Sequence, residues 1–236
     1  MDRIIAIILY IAIYQSSFSQ TNRIVYRAEF NFSKTENALN RVPGKIKKKI
    51  EKIKKNNDDI YCFLDFDKSR SVFYVDNTME SGRKRKMNIT KVKIGKGIFF
   101  IDNTKSEIVN QKNSFDKDFQ VIYPSNKWNV TQETKKIGKY ICYKATTEIK
   151  REGRWGKKTI PVMAWFTTDL PYRFGPKQYS GLPGIILELT EGDLTFYAQK
   201  IKLNQISLKL KERKGGGQRV TKKEFDNISK KTFENR

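Results

Sequence analysis

The sequence predicts a mainly β fold: a curved antiparallel sheet or half-barrel of about ten strands, with one basic helix near residues 44–56 and a short C-terminal helix. Three observations point there. Segment after segment alternates apolar and polar residues with a period of two, which is the pattern of half-buried strands. Turns bearing glycine, proline or polar residues separate these segments at short intervals. No long helical pattern intervenes, and a purely parallel sheet needs crossover helices. The 236 residues fit one large domain with appendages, read as 1–19 signal peptide, 20–212 single β-rich domain and 213–236 flexible hinge with a short basic tail.

Taken in order, Met1-Asp2-Arg3 precedes an apolar run from Ile4 to Tyr14 and then Gln15-Ser16-Ser17-Phe18-Ser19-Gln20, the pattern of a secretory signal cleaved after Ser19. The run is about half the roughly 20 apolar residues of a spanning helix. With no cysteine at the cleavage site, lipid attachment is closed, so the expectation is export to the periplasm or beyond, in soluble form. In residues 23–32, Ile24, Tyr26, Ala28, Phe30 and Phe32 share one side of an opening strand. Ile46, Ile50 and Ile53 recur at helical spacing after Pro43, and lysines cover the rest, so the stripe either packs on the sheet or lies on an anionic membrane surface. Residues 59–66 alternate again and pair with 71–75 across a polar link. Residues 92–94 and 97–101 flank Gly95-Lys96 as a hairpin. Further strands are expected over 128–131, 139–149, 160–168, 185–190 and 194–202. Gly215-Gly216-Gly217 reads as a hinge, and Thr221 with Glu224 forms the capping box of a terminal helix carrying Phe225 and Ile228.

Composition excludes more than it assigns. With no histidine, Ser-His-Asp and Cys-His nucleophile systems, imidazole acid/base chemistry and His-ligated metals are all absent. The formal net charge of +23 is concentrated in residues 45–55, 83–86 and beyond 209. These clusters suit contact with anionic membrane or lipopolysaccharide, or they are solvated faces; no aromatics interleave them, and export makes nucleic acid unlikely as a partner. The two cysteines, Cys62 and Cys142, face an oxidising compartment, where an even count favours a disulfide over two separately buried thiols.

One string stands out: Gly181-Leu182-Pro183-Gly184-Ile185-Ile186, preceded by Tyr140-Ile141-Cys142-Tyr143-Lys144-Ala145, by Ala164-Trp165-Phe166-Thr167-Thr168-Asp169-Leu170-Pro171 and by Gly175-Pro176. In these motifs the sequence resembles the GLPGLI family of exported proteins from Gram-negative bacteria, with Ile185 for Leu and Leu170 for Ile as the departures. The resemblance implies an exported, β-rich envelope protein and no particular reaction. The residues themselves describe a rigid corner. Gly181 and Gly184 permit positive φ or close approach, and Pro183 fixes its own φ and extends Leu182. With Gly175, Pro176 and Tyr179 just upstream, the loop is preorganised, either as the lip of a ligand cavity or as a plug with Leu182 and Pro183 in the core. Trp165 and Phe166 point to opposite faces of a regular strand, so one is core and the other can line a concavity.

Acid/base catalysis without histidine could use paired carboxylates, for which Asp169, Glu188, Glu191 and Asp193 are the candidates, yet each has an ordinary strand or turn setting; serines and lysines for a Ser-Lys nucleophile are abundant, but abundance marks no pair. No catalytic residue, metal or cofactor is therefore assigned. The reading is a non-enzymatic periplasmic binding or interaction module that uses a concave sheet and the 175–184 loop, with Trp165 and Phe166, to receive an apolar ligand or another envelope protein. A carboxylate-dependent hydrolase acting on envelope glycan or peptide is the alternative.

Overall fold

The alternation of the opening segment becomes strand β1 (Thr21–Phe30), whose Ile24, Tyr26 and Ala28 are fully buried while the residues between them are part-exposed. In the computed structural model, which describes residues 20–33, 43–55, 57–76, 87–153 and 156–234, β1 lies at the centre of the sheet. The expected signal peptide and the basic cluster 83–86 lie outside the described residues. Strands β2 (Ile60–Phe66) and β3 (Arg70–Val75) form the expected hairpin. Its turn is set by Asp67, whose carboxylate accepts from the backbone N–H groups of Ser69 at 2.8 Å and Arg70 at 2.7 Å. Helix α1 (Gly44–Lys55) is the basic helix read from the sequence. Its apolar stripe is only partly covered: Ile46 is exposed, and Ile50 and Ile53 are half-buried.

The hairpin expected around Gly95-Lys96 is corrected by the structure. Residues 89–94 form a short helix, α2 (Ile89–Ile94), which buries Thr90 and Ile94, and only then does β4 (Ile98–Asp102) begin. Asn88 is the physical reason, because its side chain accepts from the Lys91 N–H as an N-cap. Two strands follow that the sequence reading did not contain, β5 (Glu107–Ser114) and β6 (Lys117–Ile122). The remaining strands are β7 (Asn129–Ile137), β8 (Tyr140–Gly153), β9 (Gly156–Thr167), β10 (Ile185–Glu191), β11 (Leu194–Gln205) and β12 (Gln218–Thr221), and the chain closes with helix α3 (Lys222–Glu234).

The strands form one 12-stranded sheet in the order β12-β6-β5-β4-β3-β2-β1-β11-β10-β9-β8-β7. It consists of two runs of sequential neighbours, β1 to β6 and β7 to β11, joined where β1 pairs with β11. The sheet is mixed, not purely antiparallel, because β12 runs parallel to β6. The stretch 213–219, expected as a hinge, makes side-chain contacts with the sheet. Gln111 and Gln120 donate to backbone carbonyls of Lys214 and Gly216, at 2.8 Å and 2.7 Å respectively. Arg213 and Arg219 both pair with Glu107, so side-chain contacts fasten this glycine-rich stretch against the β5–β6 hairpin. Helix α3 is tied to β6 through Phe225 and Phe119, edge to face at 5.2 Å, and it also touches β8. That contact brings the β12 side of the sheet near its β7–β8 side, which is how the curl of the sheet is expressed.

The main core lies on the concave side. Tyr26, Leu64, Phe66, Phe73, Phe196 and Leu189 supply it from the strands, and Phe174, Tyr179 and Leu182 enter it from the connection between β9 and β10. A smaller cluster of Phe119, Val121, Val220 and Phe225 sits under α3.

Candidate functional site

The connection from β9 to β10, residues 168–184, was expected to be a preorganised lip or plug, and it fills the concave side. Phe174 and Tyr179 are fully buried and Leu182 nearly so, whereas Pro183, expected in the core with Leu182, is exposed. Phe66 receives both Tyr172, at 4.8 Å, and Phe174, at 6.2 Å, and the Tyr26 hydroxyl donates to the Ile186 carbonyl. Trp128 donates from its indole N–H to the Ser180 carbonyl at 2.8 Å. The apolar groove expected along the concave face is thus occupied by the protein's own side chains.

The two glycines that flank this packing are there for space. A Cβ on Gly184 would stand 1.9 Å from the Thr167 carbonyl oxygen, and one on Gly175 would stand 2.5 Å from the Ile186 side chain. Gly181 has open space but a φ of +96°, which disfavours any side chain. Pro176 is buried beside Gly175. Trp165 and Phe166 are both core residues; on the Trp165 side, Lys135 places its ammonium 4.5 Å from the indole and pairs with Glu188 at 2.7 Å. The expected site residues therefore form a packed corner, and what reaches a cavity from this loop is the pair between them, Lys177 and Gln178.

Lys177 is nearly buried, at 4% exposure, and adopts a φ of +57°. Its ammonium lies 2.6 Å from Glu191, and the Tyr179 hydroxyl donates to the same carboxylate oxygen at 3.0 Å. Glu191 was read as a turn residue; it is a buried counter-ion on β10. Glu188 and Glu191 are thus both ion-paired with lysines, which removes them from the free carboxylate pair that a hydrolase would need.

Lys177 and Gln178 form part of the wall of a cavity of about 410 Å³ at the mouth of the curled sheet, between α2, the β4–β5 strands, β8 and α3. Six lysines line it, Lys93, Lys96, Lys112, Lys150, Lys177 and Lys222, against one carboxylate, Asp226, which pairs with Lys222. Burial holds the Lys112 ammonium below its ordinary pKa, and the charge of Lys222 pushes it the same way. Its Nζ stands 4.4 Å over the ring of Phe225. Asn110 Oδ1 and Gln178 Oε1, on residues 2% and 5% exposed, have no hydrogen-bond partner among the described residues. The sequence named none of the cavity residues individually as a site residue, although Lys177 and Gln178 lie within the 175–184 loop and Gly95, Lys96 and Phe225 were placed in a turn and a helix. Asn110 and Lys112 lie on the unrecognised strand β5; the signal that marks Lys177 is a lone lysine set among Phe, Gly, Pro and Tyr.

Cys62 and Cys142 are both buried and are free thiols, which corrects the expected disulfide. They sit on β2 and β8, with β1, β11, β10 and β9 between them in the sheet. Burial pushes the Cys142 thiol up to about 11, with Glu188 and Asp169 adding to it and Lys135 opposing, and burial raises Cys62 further still. Both thiols are expected to resist iodoacetamide at pH 8 in the folded protein and to react fully in denaturant, because the thiolate is the nucleophile. Mass spectrometry of the alkylated chain counts them, and fast labelling in the native state would contradict this assignment. Among the described residues no group of acidic residues or cysteines is arranged to hold a metal ion. No helix of the described residues is long and apolar enough to cross a membrane.

Residues 147–188, which span β8, β9 and the loop, match the model of a family described as "Protein of unknown function (Porph_ging)". No curated protein matches the chain. Among solved structures, PNGF-II in its C2 crystal form is similar at 15% identity with a TM-score of 0.51, over 90% of this chain and 32% of that one. The P21 form gives 15% identity and a TM-score of 0.52, over 89% and 33%. This chain therefore spans about a third of the length of the PNGF-II chains it matches, and the likeness is one of fold.

Proposed function

We propose that this chain is an exported, non-enzymatic binding module of the cell envelope, of the GLPGLI type, and that it takes an anionic ligand into the cavity at the mouth of the curled sheet. The secretory pattern of residues 1–19 and the Gly181-Leu182-Pro183-Gly184 string support export and the family. The binding reading is carried by one observation: six lysines line a single cavity, and although Lys150, Lys177 and Lys222 are ion-paired with Glu148, Glu191 and Asp226, positive charge around it still exceeds negative. Like charges gathered around a partly enclosed space repel one another, and an anion that enters relieves the repulsion and binds the folded state alone.

The preorganised loop then has a defined role. The packed corner at 179–184 fixes the backbone from which Lys177 and Gln178 reach the cavity, and Glu191 holds the Lys177 ammonium in place. The ligand expected here is charged, whereas an apolar one would have needed the concave face that Phe174, Tyr179 and Leu182 already occupy.

Native mass spectrometry of the protein purified from its own envelope tests this reading. A small anionic species that is retained in the native spectrum and lost on denaturation, with the mature chain beginning at Gln20, is the expected result. Retention of the same species by a Lys112→Met variant, or a bare chain under all conditions, would count against the cavity as its site.

A further inference from the structure

We infer that helix α1 is a docking surface for an anionic phospholipid bilayer, on which it lies with its isoleucine stripe toward the acyl chains and its flanking lysines among the headgroups. This surface is separate from the cavity and does not depend on it. A helix turns about 100° per residue, so Ile46, Ile50 and Ile53 fall within about 60° of one another. Relative to Ile46, Lys45 and Lys52 stand about 100–120° to one side, and Lys47 and Lys54 about 80–100° to the other. All four of these lysines are exposed. The twelve residues of α1 carry seven lysines against one glutamate.

The fold leaves the stripe largely without a partner. Ile46 is 46% exposed and Ile50 and Ile53 are half-buried; among the described residues, none of the three belongs to the main core or to the cluster under α3. A helix that served only to cover the sheet would bury this stripe in one of them. The lysines alone would suit any polyanion, so the isoleucines decide the partner. A soluble polyanion meets the ammonium groups and offers three isoleucines nothing. A bilayer presents headgroup charge at its surface and hydrocarbon just beneath it, which matches both faces of the helix. Lysine stems are long enough to keep their ammonium groups at headgroup level while the isoleucines go deeper. Basic residues gain from a negatively charged leaflet, which selects anionic over zwitterionic lipid. At about 18 Å the helix is shorter than the roughly 30 Å hydrocarbon core, so it lies on the membrane and does not cross it.

Flotation of the protein purified from its own envelope tests the inference, with vesicles of phosphatidylglycerol and phosphatidylethanolamine and with vesicles of phosphatidylcholine alone. The salt is held at about 0.1 M, where charges more than about 10 Å from the surface are largely screened. The protein is expected to float with the anionic vesicles and not with the neutral ones. Ile46→Ser keeps the charge and is expected to weaken binding about fivefold, the scale of one half-covered isoleucine. Lys47→Gln with Lys54→Gln is expected to weaken it about tenfold or more. Lys200→Gln with Lys202→Gln removes the same charge from β11 and is expected to change binding about twofold or less. All these positions are exposed, so the variants are expected to fold as the parent does. Depth is the second readout. Cys62 and Cys142 are buried, so Ile46→Cys or Lys48→Cys takes an environment-sensitive thiol label selectively. The label at position 46 is expected to shift to the blue on anionic vesicles, while at position 48, about half a turn away, it stays in water. A protein that floats with neither vesicle would overturn the docking of α1. So would Ile46→Ser that binds as the parent does, a β11 pair that costs as much as the α1 pair, or labels at 46 and 48 that respond alike.

Discussion

Gly184→Ala is expected to cost about 3 kcal/mol or more in urea unfolding, well above the usual effect of a single methyl group. The added carbon would stand 1.9 Å from the Thr167 carbonyl oxygen and 2.6 Å from its carbon, and both atoms belong to a backbone that is paired into the sheet. No side chain can swing aside to make room. Either β10 moves away from β9 or Leu182 lifts out of the core, and each loses buried apolar surface. Gly181→Ala is the control. Open space surrounds that position, and only its φ of +96° opposes a side chain, so a loss of about 1–2 kcal/mol is expected. If the two variants unfold at the same urea concentration, close packing at Gly184 is not what the motif protects.

Glu191→Gln is expected to destabilise the protein by about 3–5 kcal/mol, the range found when one member of a buried ion pair is removed. Lys177 and Glu191 have side chains only 5% and 4% exposed, so the substitution removes the carboxylate charge that faces the ammonium where water has little access. Tyr179 would at the same time exchange a carboxylate acceptor for a neutral amide. The double variant Lys177→Met, Glu191→Leu removes both charges and is expected to recover most of the loss, short of about 1 kcal/mol for the hydrogen bond that Tyr179 donates to Glu191. Chemical denaturation of the two variants separates the cases. A double variant no better than Glu191→Gln would mean that the pair contributes through its shape in the core and not through its charge.

Strands were legible where burial falls on one face. In β1 the alternation of Ile24, Tyr26 and Ala28 is the alternation of the structure, and Cys62, Leu64 and Phe66 repeat it in β2. It failed where other forces decide. The apolar positions of 92–94 fit a strand as well as a helix, and the Asn88 cap that decides between them is a polar residue outside the pattern. Beyond Ile108 and Val109, strand β5 runs Asn110-Gln111-Lys112-Asn113-Ser114, a string of poor strand formers; its pairing comes from β4 and from β6 across a turn in which Phe115 and Asp116 both take positive φ. Part of the candidate site was lost with it, because Asn110 and Lys112 stand on that strand. The loop motif reads as a tight glycine-proline corner from sequence alone, but which way its residues face depends on the sheet that surrounds it. Lys177 carries no sign in the sequence that its charge is neutralised by Glu191, a residue that looks like the first of a Glu-Gly-Asp turn.

The sheet's division into two sequential halves sets how the chain can assemble. Within each half every strand pairs with the strand next to it in sequence, so both can form early and independently of each other. The seam is different: β1 meets β11 across nearly the whole described chain, and the Tyr26 hydroxyl reaches Ile186 over 160 residues. Closing it carries the large loop entropy of a distant contact, while its reward, the shared core, arrives only once both halves are present. During synthesis the first half must therefore wait with the edge of β1 unpaired, and the rate at which the second half reaches that edge governs how long the chain stays open to wrong partners.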